Sequence, residues 1–198
     1  MRFIVATQNQ DKSAEIKAIL ADFPLEVTDL KALGYDQDIV EDGDSFAANA
    51  CLKVEAIAAL YPDDYVMADD SGLCVDCLDG RPGIYSARYM GEKTPYSEKI
   101  AALQAEVDAK APASRAAQFV CAICCRRPDG SQFVVEGVMH GEIAHQVKGE
   151  HGFGYDPVFF LPEYGKNSAE LEPYEKNRIS HRGQALRKMR EQLLQAGD

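Results

Sequence analysis

Residues 116–126 read AAQFVCAICCR and residues 132–139 read QFVVEGVM, with Pro128-Asp129-Gly130 between them. Both runs are rich in aromatic and β-branched residues, and Pro-Asp-Gly is a turn signal, so the stretch predicts a β-hairpin. It sets the second half of the chain as antiparallel sheet. Upstream, Phe3 to Ala6 predicts a buried strand, and residues 12–21 predict a helix with Ile16, Ile19 and Leu20 inward. An irregular strand follows around Leu25 to Leu30. Asp44 or Ser45 can cap a long helix to about Leu60, striped by Phe46, Ala50, Ile57 and Leu60, with Pro62 beyond it. Tyr65 to Ala68 predicts a strand, and Asp69-Asp70-Ser71-Gly72 a turn after it. Asp79 to Gly83 reads as a loop. A third helix covers about 95–109, with Tyr96, Ile100, Leu103 and Val107 in register. Gly149 to Pro157 is a glycine-rich loop before a short strand, Val158 to Leu161. Ser180 can cap a last helix with Leu186, Met189 and Leu193 inward. Helices mixed with strands, antiparallel in the second half, predict an α/β or α+β fold around a mixed sheet.

The chain has 198 residues, enough for one domain, and neither a linker nor a repeat divides it. Its apolar fraction of 46% supports a packed core. A net charge of −11 argues against a general nucleic-acid surface and against adhesion to an anionic membrane. No apolar run reaches the roughly 20 residues of a membrane span, and Phe3 to Ala6 is too short for a signal peptide. The expectation is a cytoplasmic protein with reduced thiols. Six cysteines include two C-x-x-C pairs, Cys74/Cys77 and Cys121/Cys124. The pairs stand much farther apart than the roughly 15–20 residues of a zinc ribbon. Strand alternation also turns Cys121 and Cys124 to opposite faces. Small core residues are the better reading, and a zinc-thiolate module is disfavoured.

Five stretches carry chemistry. Thr7-Gln8-Asn9-Gln10-Asp11-Lys12 joins a strand to a helix start, which offers free N–H groups and a positive dipole end to phosphate. It lacks the Walker pattern and, alone, reads better as an ordinary helix cap with surface polar residues. Glu41-Asp42-Gly43-Asp44-Ser45-Phe46 runs into Asn49 and Lys53, which share a helix face beside the apolar stripe. Lys53 there is either a paired buried cation or a snorkelling one. Asp69-Asp70 at a strand end is a usual seat for Mg²⁺, and flanking apolar residues would half-bury the pair. In Gly152-Phe153-Gly154-Tyr155-Asp156-Pro157, a ring could stack on a flat ligand or simply anchor the loop. Glu175 to Gly183 gathers Lys176, Arg178, His181 and Arg182 around an expected helix start, where cations oppose the dipole unless an anion or an electron-rich ring is present.

Taken in order, T-x-N-x-x-K, E-x-G-x-[ST]-F with Asn49 and Lys53, A-D-D-S-G-L, P-G-x-Y-S-A-R-Y, G-F-G-Y-D-P and E-K-N-x-I-S-H-R-G resemble the inosine triphosphate pyrophosphatase family over residues from about 3 to 190. Each motif is weak, but six in order are specific. Ala48 departs from the family's usual Glu, and Cys77 from its usual Ala. The resemblance implies a long mixed sheet flanked by helices, in two lobes around a central active-site cleft, and a homodimer. It implies Mg²⁺-dependent hydrolysis of non-standard purine nucleoside triphosphates (ITP, dITP, XTP) to the monophosphate and pyrophosphate. By the same resemblance, Asp70 is the catalytic carboxylate, and Glu41 and Asp70 hold Mg²⁺. Thr7, Asn9 and Lys12 hold the phosphate tail with Lys53 beside them, and Gln8, Gln10 and Asp11 of the same stretch also bind substrate. Ser71 touches substrate, and Phe153, Gly154, Tyr155, Asp156, Lys176, His181 and Arg182 surround the base. Two other readings stand beside it: a pyrophosphatase of modified pyrimidine or guanine nucleotides, and a non-catalytic nucleotide-binding protein.

Overall fold

The structure, a computed structural model, describes residues 1–110 and 114–195. Its elements in chain order are β1 (Arg2–Val5), α1 (Gln10–Ile19), β2 (Glu26–Asp29), α2 (Phe46–Ala58), β3 (Tyr65–Val75), α3 (Tyr96–Asp108), β4 (Ala116–Arg126), β5 (Gln132–Ile143), β6 (Phe159–Leu161), β7 (Lys166–Asn167), α4 (Pro173–Ile179) and α5 (His181–Gln195). Seven strands form one sheet in the order β2-β1-β3-β4-β5-β6-β7. β1 pairs parallel with β2 and β3, while β5–β6 and β6–β7 are antiparallel. The expected mixed sheet is therefore present, and the turn after Arg126 closes with Gly130 N donating to Arg127 O.

Backbone proximity divides the chain into two compact units. One comprises Met1–Asp70, Cys121–Gly137 and the chain from His181 onward; the other comprises Ser71–Val120 and Val138–Ser180. The first buries apolar side chains on both faces of its strands. On one face Phe3, Val5, Met67, Cys121 and Ile123 pack with Ile16 of α1 and Leu186 and Met189 of α5. On the other, Ile4, Val66, Ala68 and Cys124 pack with Ala50, Val54 and Ile57 of α2. Period-2 alternation thus places Cys121 and Cys124 in different cores. The second unit has one core, built on Leu73, Leu103, Phe119, Val158 and Phe159.

Several expectations are corrected. No turn follows Ala68: β3 runs unbroken to Val75, carrying Asp69 and Asp70 in its middle. Charges survive in a buried strand when each face supplies partners, and here both faces do. α1 begins at Gln10, because the Asn9 side chain accepts from Lys12 N and caps it. α2 begins after the Ser45 cap and ends at Ala58, which leaves Leu60 57% exposed. β5 continues past Met139 to Ile143. Tyr96 opens α3 but stays 37% exposed, its ring set edge-on to Tyr155. The Glu175–Gly183 segment is a helix end followed by a helix start. α4 carries Lys176 and Arg178 in its last turn, where cations favour the dipole, and α5 opens at His181. No helix among the described residues is long and apolar enough to cross a membrane.

Candidate active site

Parallel pairing sets Val5 opposite Met67, and Ala6 N donates to Met67 O at 2.7 Å. Beyond that rung β1 leaves the sheet through Thr7–Asn9 into α1, while β3 continues. Asp69 consequently emerges facing α1 and α5, and Asp70 faces α2. The exit loop is tied to itself: Asn9 N donates to Thr7 Oγ1 at 3.2 Å, and Lys12 N to Asn9 Oδ1 at 3.0 Å. Gln8 and Gln10 are exposed, their amides donating to Gln37 O and Gln8 O. Asp11 is exposed in the first turn of α1.

Asp69 is fully buried. Its Oδ2 lies 3.2 Å from Lys12 Nζ and accepts from Arg182 Nε at 3.2 Å and Nη2 at 3.1 Å. Arg182 Nη1 also donates to Glu15 Oε2 at 2.6 Å. Burial works against the charged form of Asp69, but Lys12, Arg182 and Lys53 overcome it and hold the carboxyl below the usual range. Burial likewise opposes the charge on Arg182; Asp69, the largest counterweight, keeps it protonated. The adjacent thiol of Cys121 is pushed up to about 12 by burial and by the charge of Asp69, so it is no nucleophile. Arg182 can occupy this position because Gly137 of β5 has no side chain: a Cβ there would fall 2.1 Å from His181 O and force the start of α5 away.

Asp70 has the opposite character. Asn49 Nδ2 donates to its Oδ2 at 3.1 Å, and Lys53 Nζ stands 3.7 Å from its Oδ1. Asn49 and Lys53, one helical turn apart on α2, are 1% and 7% exposed, so both are held inside. Burial pushes the Asp70 carboxyl up and Glu41 adds to that; Lys53 and Lys12 pull it down, and the net displacement is upward. Lys53 Nζ also donates to Glu41 Oε2 at 3.1 Å, so one ammonium draws two carboxylates together. Glu41 and Asp70 are hard oxygen donors suited to Mg²⁺, which takes one or two carboxylates and fills its remaining positions with water and phosphate oxygens. Among the described residues no group of three or more His, Cys, Asp or Glu gathers as a metal cage. Glu41 and Asp70, gathered about one ammonium, supply two carboxylates that fit a cation filling its other positions from a ligand or water.

In the second unit, Asp156 is 2% exposed and organises the glycine-rich loop. Its Oδ2 accepts from Phe153 N at 2.9 Å and from Lys176 Nζ at 2.5 Å, and its Oδ1 accepts from Ser168 Oγ at 2.9 Å. Lys176 Nζ lies 5.1 Å from the Phe153 ring centroid, a cation–π contact. Gly152, at φ +74°, gives Asp156 its room, since a Cβ there would sit 2.2 Å from Asp156 Oδ2. Gly154 also has positive φ. Tyr155 is a packing ring: it is buried, and its hydroxyl donates to Ser86 O at 3.0 Å. Phe153 is the more exposed of the two rings. Ser71 is half-buried on β3, and His181 is buried at the start of α5.

The structure thus brings Lys12, Lys53, Asp70, Glu41 and Arg182 into one charged cluster, and Phe153, Asp156 and Lys176 into another. Asp69 and Asn49, which the sequence set beside Asp70 and Lys53, complete the first cluster together with Glu15, which it did not single out. Asn49 was legible as the helical neighbour of Lys53. Glu15 lies on the same face of α1 as Lys12, a spacing that could have found it. Nothing in the sequence marked Ser168 as an anchor for Asp156.

The Ham1 family model matches residues 3–192. A dITP/XTP pyrophosphatase of Leuconostoc mesenteroides is 44% identical over 98% of this chain and 96% of its own length. One from Geobacillus kaustophilus is 47% identical over 96% and 92%. Among solved structures, a HAM1 protein from Coxiella burnetii superposes with a TM-score of 0.89 at 35% identity, covering 98% of this chain and 99% of that one. Kinship of this extent in both sequence and fold admits one assignment: the chain belongs to the Ham1 family.

Proposed function

We propose that the protein hydrolyses non-standard purine nucleoside triphosphates, dITP, ITP and XTP, to the monophosphate and pyrophosphate with Mg²⁺, acting as a homodimer in the cytoplasm. The observation that carries this reading is the contrast between Asp69 and Asp70. One carboxylate is paired with Lys12 and Arg182 on one face of the sheet; its neighbour meets Asn49 and Lys53 on the other. Adjacent acids driven apart in this way take separate duties.

In this mechanism Asp70 accepts the proton of the attacking water. Glu41 and Asp70 would hold the magnesium ion, which when bound neutralises phosphate charge and lowers the pKa of water. Lys53 and Lys12 offset the negative charge that grows on departing pyrophosphate. Asn49 fixes the rotamer of Asp70 through its amide. Asp69 does no chemistry; it orients Lys12 and Arg182. Base choice falls to cationic donors that suit a 6-oxo acceptor and leave a 6-amino group without an acceptor, a mismatch worth up to about 10⁴–10⁵ in discrimination. Lys176, held by Asp156 beside Phe153, supplies such a donor.

The test is a panel of dITP, ITP, XTP, GTP, ATP and dUTP with Mg²⁺, analysed for both products. The expected result is stoichiometric pyrophosphate and monophosphate from the first three, little from the others, and loss of turnover in EDTA that Mg²⁺ restores. Release of orthophosphate, or equal rates on ATP and ITP, would overturn the reading.

A further inference from the structure

The mechanism uses no thiol, yet two cysteines from distant parts of the chain meet. Cys51 of α2 and Cys124 of β4 have their Sγ atoms 2.9 Å apart. Both belong to the first unit, and Cys51 packs at the edge of the core that contains Cys124. Neither is engaged in a disulfide. A disulfide bond is about 2.05 Å long, so closing it asks for a movement of roughly 0.9 Å. The exposure of the two residues is unequal: Cys124 is fully buried, whereas Cys51 is only partly so. We propose that Cys51 and Cys124 form a reversible disulfide on exposure to a hydroperoxide, a modification site that clips α2 to β4.

The chemistry balances with hydrogen peroxide as oxidant. The sulfur of Cys51 attacks one peroxide oxygen; an S–O bond forms, the O–O bond breaks, and water leaves with the thiol proton. The product is a sulfenic acid. The sulfur of Cys124 then attacks that of Cys51; the S–S bond forms, the S–O bond breaks, and the proton of Cys124 leaves with hydroxide as a second water. Two thiols and one peroxide give one disulfide and two waters. Cys51 is the less buried of the two residues, which assigns the first attack to it. Cys125, next in sequence, lies in the opposite core with Cys121 and is kept away from Cys51 by strand alternation. The inference draws on none of the residues given a role in the proposed mechanism, so it stands or falls independently of the proposed activity.

The experiment treats the purified chain with hydrogen peroxide and follows free thiols, intact mass and peptide fragmentation. The expected result is a fall from six free thiols to four. It is accompanied by the loss of two hydrogen masses, a fragment linking Cys51 to Cys124, and full recovery with dithiothreitol. Cys125→Ala should behave as the parent. In Cys124→Ala, Cys51 should instead collect oxygen. Cys51→Ser, at a partly exposed position, should keep its other thiols and guards against a fold defect in the buried variant. Retention of six thiols, oxygen adducts on Cys51 of the parent chain, or a link between Cys74 and Cys77 in place of this pair would overturn the proposal.

Discussion

Asp69 and Asp70 are neighbours on β3, yet their carboxylates reach opposite faces of the sheet, one to Arg182 at 3.1 Å and the other to Asn49 at 3.1 Å. A strand turns successive side chains apart, so a single dipeptide serves two helices. The first carboxyl anchors cations from α1 and α5. The second is left with fewer opposing charges, and burial dominates it.

Replacing Asp70 with Asn keeps the hydrogen-bonding outline and removes the base. The expected outcome is a fall in kcat of about 10²–10⁴, typical for loss of general acid–base catalysis, with an unchanged circular dichroism spectrum. Near-parental turnover would remove Asp70 from the mechanism.

Asp69→Ala acts on the fold first. It strips the buried Arg182 guanidinium of its largest counterweight. Breaking a buried pair by removing one partner typically costs about 3–5 kcal/mol. Urea denaturation should show a shift of that size, larger than the shift for Asp70→Asn. Equal midpoints for the two variants would show that Asp69 does not anchor the cluster.

Gly152→Ala reports on the second cluster. Alanine is strained at φ +74°, and its Cβ would strike Asp156 Oδ2. The pair Asp156–Lys176 must move, so KM for ITP should rise several-fold and the ITP-to-ATP rate ratio should fall. Lys176→Met should reproduce the lost ratio without the backbone strain. An unchanged ratio in both variants would exclude this loop from base choice.

Asp29 supplies a pH test away from the site. Burial works against its charge, but Lys17, the Ser13 hydroxyl and Ala32 N overcome that and bring the carboxyl down to about 2. A carboxyl that binds its proton more weakly in the folded chain than in the unfolded one stabilises the fold above the ordinary carboxylate range. That contribution is lost as pH falls toward about 2. The stability difference between the parent and Asp29→Asn should therefore be full at neutral pH and shrink between about pH 4 and pH 2. A difference independent of pH would contradict the ion pair.

The sequence by itself determined the elements whose signals are local. The hairpin around Pro128-Asp129-Gly130 and the helix striped by Ala50 and Ile57 follow from turn chemistry and periodicity, which neighbouring residues encode. The shared helix face of Lys53 and Asn49 followed from their spacing, whereas the structure decided that Lys53 is a paired, buried cation and does not snorkel. Only the tertiary structure decided that Asp69 and Asp70 sit within a continuous strand. Two adjacent acids favour a turn locally, and they tolerate a buried strand only because Lys12, Lys53 and Arg182 arrive from positions far away in the chain. The same reason separates the roles of Tyr155 and Phe153, which are alike in sequence. The Tyr155 hydroxyl finds Ser86 O, a partner that folding alone brings within reach.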